Sequence, residues 1–343
     1  MKKTKKEAYE IADHYTKWLE KKGCEKSPCT IRAYEITINL YMNYLVEKQH
    51  VIMESFKAKT CFSTDMIEKW LQWLAESKKC TPQSCNVRLS NLRSFLKYLS
   101  EKNYKFMDVY LASTKIERRK TIKKQIRGIS KEGIKVLLNS IDTSTEIGRR
   151  DSILWQTVYL TGLRISEALS IQLKSLNLTA NRPSVTVVGK RSKIRTMYLP
   201  PVLTENLKVY VKQIFGKGYD ENSYLFFSRI GGKLHPMSVK GAESRLKIIA
   251  KTANKISKEV PLDLHPHMLR HACATHWLED GMNIIQVSKC LGHDDISTTM
   301  RYLDITDKQT EDAIISIEDK RTNSLHKKWK NETSLSNLFK RTL

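Results

Sequence analysis

The stretch from Pro266 to Tyr302, PHMLRHACATHWLEDGMNIIQVSKCLGHDDISTTMRY, concentrates the side chains that phosphate chemistry requires. His267 and Arg270 stand nearly one helical turn apart, so both reach a common point from one helix face. A guanidinium suits a phosphate because its fixed fork of donors holds two non-bridging oxygens at once, whereas a lysine offers a point charge. The imidazole beside it moves or shares a proton. Leu291-Gly292-His293 reads as a helix end followed by a turn, and Ser297-Thr298-Thr299 as the capped start of another helix. That spacing puts Tyr302 in the first turns of the second helix. A lone tyrosine on a short helix is ordinarily packing. Here the company argues otherwise: five of the nine histidines fall between His265 and His293, a crowding that core packing does not ask for.

Other elements must bring further cations to that point. Asp151 to Leu160, DSILWQTVYL, is an apolar helix that Thr161-Gly162 breaks and Leu163-Arg164-Ile165-Ser166-Glu167-Ala168-Leu169 restarts. Arg164 therefore lies at a helix junction, where a polar group is easily aimed into a cleft. Glu167, one turn on, orients Arg164 or forms a structural pair rather than doing chemistry. Ser184 to Leu199, SVTVVGKRSKIRTMYL, has two β-rich runs around a Gly-Lys-Arg-Ser-Lys centre and reads as a hairpin. Lys190, Arg191, Lys193 and Arg195 make its tip basic, which is usually just a solvated turn. Upstream, Ile129-Ser130-Lys131-Glu132 starts a helix with Val136, Leu137 and Ile141 on its apolar face. Pro200 to Ile230 suggests a helix and then the short run Tyr224 to Phe227, with Gly231-Gly232 as a turn.

Residues 1–112 read as an all-helical unit. Ile31, Tyr34, Ile38, Tyr41 and Leu45 form one apolar stripe behind a Ser27-Pro28 start. Ile67, Trp70, Leu71 and Leu74 follow Ser63-Thr64-Asp65, and Leu89, Leu92, Leu96 and Leu99 follow Thr81-Pro82. These stripes are core. Arg88, Arg93 and Lys97 lie on other faces of the third helix, where such charges are usually solvated but are also suited to phosphates. Residues 113–128 form a basic interdomain segment in which Lys115, Arg118, Arg119, Lys120, Lys123, Lys124 and Arg127 stand against one acid, Glu117. We read it as tracking a DNA backbone, free in solution and ordered on DNA.

With 343 residues, two domains are expected, and the formal net charge of +24 makes a polyanion the expected partner, nucleic acid ahead of a membrane surface. No apolar run is long enough to cross a bilayer and the N-terminus has no signal-peptide pattern, so the expected location is the cytoplasm. Seven scattered cysteines fit a reducing compartment and no disulfide scaffold.

Together these residues resemble the tyrosine recombinases, or phage integrases, including the Xer-type resolvases. The resemblance rests on Pro-His-x-Leu-Arg-His at Pro266 to His271, Ala274-Thr275-His276, Leu-Gly-His at Leu291 to His293, TGLRISEAL around Arg164, and Gly189-Lys190 in the hairpin. Tyr302 follows His293 by nine residues. Two departures stand out. Leu303-Asp304 follows the tyrosine where the family usually has Thr-His, and the hairpin turn reads Lys-Arg-Ser-Lys where a second Gly is common, leaving Lys193 as a fallback for Lys190.

The resemblance implies a mainly α fold with a small β-sheet: an N-terminal helical, SAM-like core-binding domain at 1–112, the linker at 113–128, an α+β catalytic domain at 129–320, and a tail at 321–343 that docks on a neighbouring subunit, the alternative for that tail being to pack on its own domain. The two domains would form a C-shaped clamp on DNA. It also implies a site-specific recombinase of integrase, transposase or resolvase type that cuts and rejoins strands through a 3′-phosphotyrosyl link, without ATP, metal or cofactor. Arg164, Lys190, His267, Arg270, His293 and Tyr302 would be catalytic. Arg191 and Lys193 would join the basic residues above in binding DNA. The partner would be double-stranded DNA with paired core sites, bound by a homo-tetramer. The arm-site module of larger integrases is expected to be absent. Three rivals stay open: a zinc hydrolase using His265, His267, His271 and His276, which lacks a well-placed carboxylate ligand; a type IB topoisomerase; and a non-catalytic DNA-binding protein on the same scaffold.

Overall fold

Helix starts in this chain are written in single side chains. In the computed structural model, which describes residues 3–121, 128–189, 193–216 and 220–300, Ser27 caps α2 (Pro28–Glu47) by accepting from the Thr30 N–H. Ser63 does the same for α4 (Thr64–Glu76), and Thr81 for α5 (Pro82–Lys102). Each hydroxyl satisfies one of the N–H groups that a helix start leaves without a partner, and proline at the first position of α2 and α5 adds a pre-set φ.

The chain divides into two units, Met1–Lys124 and Gln125–Leu343. The first also contains α1 (Lys3–Glu25), α3 (Ala58–Cys61) and α6 (Met107–Lys115). Its core is aromatic: Trp18, Tyr41, Phe62, Trp70 and Phe95 are fully buried, with Tyr41 edge-on to Trp70 at 4.9 Å between centroids. Side chains of this size each stabilise the fold by about 1.5–3 kcal/mol when buried. Across the interface of α2 and α5, Asn91 donates to the Ala33 carbonyl at 3.3 Å and to Thr37 Oγ1 at 2.9 Å.

The end of this unit differs from a free tether. Ser113 to Lys115 are the last residues of α6, so the basic segment begins as a helix end. The following residues lie back along α5: Asn86 donates to the Arg119 carbonyl and accepts from the Arg119 N–H, both at 2.9 Å.

The second unit runs α7 (Lys131–Asn139), α8 (Glu146–Thr161), α9 (Ile165–Leu169), β1 (Leu176–Asn177), β2 (Ser184–Val188), β3 (Ile194–Tyr198), α10 (Pro201–Phe215), β4 (Phe227–Ile230), β5 (Lys233–Pro236), α11 (Val239–Ile256), α12 (Pro266–Glu279), α13 (Ile284–Leu291) and α14 (Ser297–Met300). β1, β2 and β3 form an antiparallel sheet in which Val185 faces Met197 and Val187 faces Arg195. β4 and β5 are joined through Gly231 and Gly232, both at positive φ, as a two-residue hairpin turn requires. Trp155, Val158, Leu163, Leu203, Leu246 and Leu269 anchor the core. Tyr159 on α8 meets His276 Nδ1 on α12 at 2.9 Å, which pins those two helices together. The helix at 239–256 was not among the expected elements, although Ser238 caps it and Ala242, Leu246, Ile249 and Ala253 bury at helical spacing. The fold is thus mainly helical with small antiparallel sheets. No described helix is long and apolar enough to cross a membrane.

Candidate active site

Four segments of the second unit converge on one buried carboxylate. The first is the α8–α9 junction. Gly162 ends α8 in the left-handed region at φ 63°, and Arg164 becomes the N-cap of α9. Glu167, at the third position of α9, reaches back so that its Oε2 accepts from the Arg164 N–H at 2.9 Å while Oε1 accepts from Arg164 Nη1 at 2.9 Å. A carboxylate at this point both caps the helix and aims the guanidinium.

The second segment is β3. Arg195 donates from Nη1 to Glu167 Oε1 at 3.1 Å and from Nη2 to Oε2 at 2.9 Å. The sequence placed Arg195 with the solvated hairpin tip. The structure corrects that: its partner across β2 is the buried Val187, so it points inward with the core side of the sheet. Burial alone pushes the Glu167 carboxyl up, but the hydrogen bonds from Arg195 and from the Arg164 backbone, with the Arg195 charge, bring it below its ordinary value. It is an anion here.

The third is α12, whose first two turns carry His267 and Arg270. Arg270 is buried. It donates from Nη1 to the Gly162 carbonyl at 2.6 Å and from Nη2 to the Leu291 carbonyl at 2.7 Å, and Nη1 lies 3.9 Å from Glu167 Oε2. One carbonyl belongs to the C-cap of α8 and the other to the last residue of α13, so one guanidinium ties both helix ends to α12. His267 is exposed. The surrounding protein still strips part of the water from its ring, and that partial desolvation, then the charge of Arg270, lower its pKa, which favours the neutral imidazole that can take a proton.

The fourth is the turn after α13. Gly292 adopts φ 65° and delivers His293, whose Nε2 lies 3.1 Å from Arg270 Nη2 and whose Nδ1 lies 2.7 Å from Thr299 Oγ1 on α14. A guanidinium only donates, so Nε2 accepts and the ring proton belongs on Nδ1. Burial, and then Arg270 and Arg164, lower the pKa of His293 to about 4.

The hairpin tip adjoins this cluster. A Cβ at Gly189 would stand 3.2 Å from both Arg195 Nη1 and Glu167 Oε1, and Lys193 pairs with Asp294, the residue after His293. Lys190, Arg191 and Tyr302 lie outside the described residues.

Of the expected DNA-binding residues from Arg88 to Arg127, Arg88, Arg93, Lys97, Lys115, Arg118, Arg119 and Lys120 are described, and Lys123, Lys124 and Arg127 lie outside the description. Arg93 is occupied within its own unit: Nε donates to the Ser113 carbonyl at 2.8 Å and Nη2 to that of Ile116. Arg88 Nη1 contacts Cys80 Sγ at 2.9 Å, and Arg118 donates to Ser90 Oγ at 3.3 Å. Among the described residues no group of three or more His, Cys, Asp or Glu side chains is placed to hold a metal ion.

Comparison with known proteins gives the same outline. Residues 127–309 match a family described as the phage integrase family, and residues 13–103 match the phage integrase N-terminal SAM-like domain. Tyrosine recombinase XerD of Listeria monocytogenes serovar 1/2a is 30% identical over 287 residues, covering 83% of this chain and 90% of the relative. Among solved structures, the Tn1549 transposon integrase in complex with a circular intermediate DNA superposes with a TM-score of 0.70 at 15% identity, covering 89% of this chain and 98% of that one. A lambda integrase tetramer bound to a Holliday junction superposes at 0.63 with 13% identity, covering 85% and 76%.

Proposed function

From the premise that the chain belongs to the phage integrase family, whose members are tyrosine recombinases, we propose that it is a site-specific DNA recombinase whose nucleophile is Tyr302. A tyrosine hydroxyl with an ordinary pKa of about 10 is a poor nucleophile at neutral pH, so it needs nearby cations and a proton acceptor. Arg164 and Arg270 clamp the scissile phosphate and neutralise the charge that grows on its oxygens. His293 supports the same oxygens, for which its Nε2 must exchange Arg270 for a phosphate and carry the ring proton. Tyr302 Oη attacks phosphorus, His267 takes the phenolic proton, the bond to the 5′ oxygen breaks, and Lys190 protonates that leaving oxygen. The product is a 3′-phosphotyrosyl link and a free 5′ hydroxyl. Because one phosphodiester replaces another of similar energy, a second 5′ hydroxyl reverses the step and rejoins a new strand without ATP.

The observation that carries this reading is the convergence of Arg164, Arg270 and His293 around Glu167, since two guanidiniums and an imidazole at one point form a receptor for a phosphodiester. The basic residues Arg88, Lys97, Lys115, Arg118, Arg119 and Lys120, with Lys123, Lys124, Arg127, Arg191 and Lys193, supply sequence-independent phosphate contacts, while Arg93 holds the segment that presents them. We assign residues 1–112 to core-site binding, 113–128 to the linker, 129–320 to catalysis and 321–343 to docking on a neighbour. A lambda integrase tetramer bound to a Holliday junction is the precedent for a homo-tetramer here; we place that assembly on two paired core sites, and the chemistry in the cytoplasm, where the DNA is. A plasmid carrying two target sites tests the choice between exchange and relaxation: the recombinase reading expects deletion or inversion between the sites, and relaxation of supercoils with no exchange would assign the chain to topoisomerase chemistry instead.

A further inference from the structure

Arg195 has no part in the steps above, yet its guanidinium touches three of the segments that carry them. It occupies an inward register position of β3, opposite Val187 and two residues from the buried Met197. A cation there needs an anion, and Arg195 meets Glu167 as a two-point fork, at 3.1 and 2.9 Å. The same two carboxylate oxygens accept from the Arg164 side chain and N–H. Fixing the plane of the carboxylate therefore fixes the direction of Arg164. On its other side the Arg195 guanidinium is pressed against two glycines. A Cβ would come within 3.2 Å of Nη1 at Gly189 and within 2.6 Å at Gly292, and these glycines immediately precede Lys190 and His293. Arg195 Nε is buried with no hydrogen-bond partner. Packing alone does not select such a residue, because methionine or leucine fills an inward strand position without stranding a donor.

We propose that Arg195 is a positioning residue for strand cleavage: it locks Glu167, and so Arg164, while holding the hairpin root and the His293 turn in register, without itself touching DNA. This rests on the recombinase reading, and makes Arg195 the link by which the hairpin and the phosphate clamp are set together.

The test is single-turnover cleavage of a nicked duplex carrying the target site, with saturating protein, for wild type, Arg195→Met, Arg195→Lys, Glu167→Gln and the double variant Arg195→Met/Glu167→Gln. Arg195→Met is expected to melt within a few degrees of wild type, to bind the intact duplex within about threefold, and to cleave at least tenfold more slowly. Arg195→Lys keeps the charge but loses the fork, so it is expected to recover only part of the rate. The double variant should be no slower than the slower single variant, because both act through one unit. Wild-type cleavage by Arg195→Met, a rate loss matched by an equal loss of binding, multiplicative losses in the double variant, or failure of both Arg195 variants to fold would each overturn the proposal. Absence of adduct with wild-type protein would instead strike the recombinase reading itself.

Discussion

At the scale of single residues, the two arginines of the clamp are built differently and are expected to fail differently. Arg270 is buried and donates to two helix-end carbonyls, whereas Arg164 is partly exposed and leans on Glu167 alone among its described partners. Arg270→Ala leaves those carbonyls without their donor and is expected to cost about 2–5 kcal/mol of folding stability. Arg164→Ala should cost less than half of that in a denaturant titration, while both variants lose cleavage by a hundredfold or more. Equal stability losses would contradict this division. The histidines give a pH signature. His293 is held neutral, with a pKa of about 4 in the fold against an ordinary 6.5, and the pKa values of His267 and His276 are displaced in the same direction, chiefly by burial. A group whose folded pKa is depressed contributes its stability above the unfolded pKa and loses it as pH falls towards the folded one. Unfolding free energy should therefore decline from pH 6.5 to 4, and His293→Gln should make that decline shallower. A slope unchanged in the variant would refute the assignment.

At the scale of elements, the turns between helices do the positioning. Gly292 sits at φ 65°, where any Cβ also meets the Arg195 guanidinium at 2.6 Å. Gly292→Ala is expected to lower stability by about 1 kcal/mol for the backbone alone, and to slow cleavage by displacing Arg195 and His293 together. Cleavage at the wild-type rate would show that the turn does not set the site. Such turns and caps were legible in the sequence because their physics is local: Ser27, Ser63, Thr81 and Ser130 each bond an N–H three residues on. That Arg164 belongs with Arg270 and His293 was an expectation of the family resemblance, carried by the TGLRISEAL, Pro-His-x-Leu-Arg-His and Leu-Gly-His motifs, since the sequence alone put Arg164 only at a helix junction. Arg195 was not, because its partner lies 28 residues away and is chosen by strand register. Arg93 misled for a related reason: its acceptors are backbone carbonyls of α6 and the residue after it, and a sequence says nothing of which carbonyl ends a neighbouring helix in space.

At the scale of the whole molecule, a net charge of +24 spread over both units suits a chain that grips a polyanion along its length. Replacing Lys115, Arg118, Arg119 and Lys120 with glutamine should weaken binding to all sequences alike. The slope of log K against log salt should shrink by about 0.9 for each phosphate that is no longer neutralised. Weakening confined to the target site would mean these residues read bases instead. The account as a whole stands on a covalent bond between protein and DNA. The direct measurement is denaturing electrophoresis of the protein after incubation with a nicked duplex whose cleaved end cannot be rejoined, comparing wild type with Tyr302→Phe. Wild type is expected to give an adduct at the 3′ phosphate, and Tyr302→Phe to bind the duplex equally well and give none. An adduct of undiminished yield from Tyr302→Phe, or none from wild type on its bound site, would contradict the account.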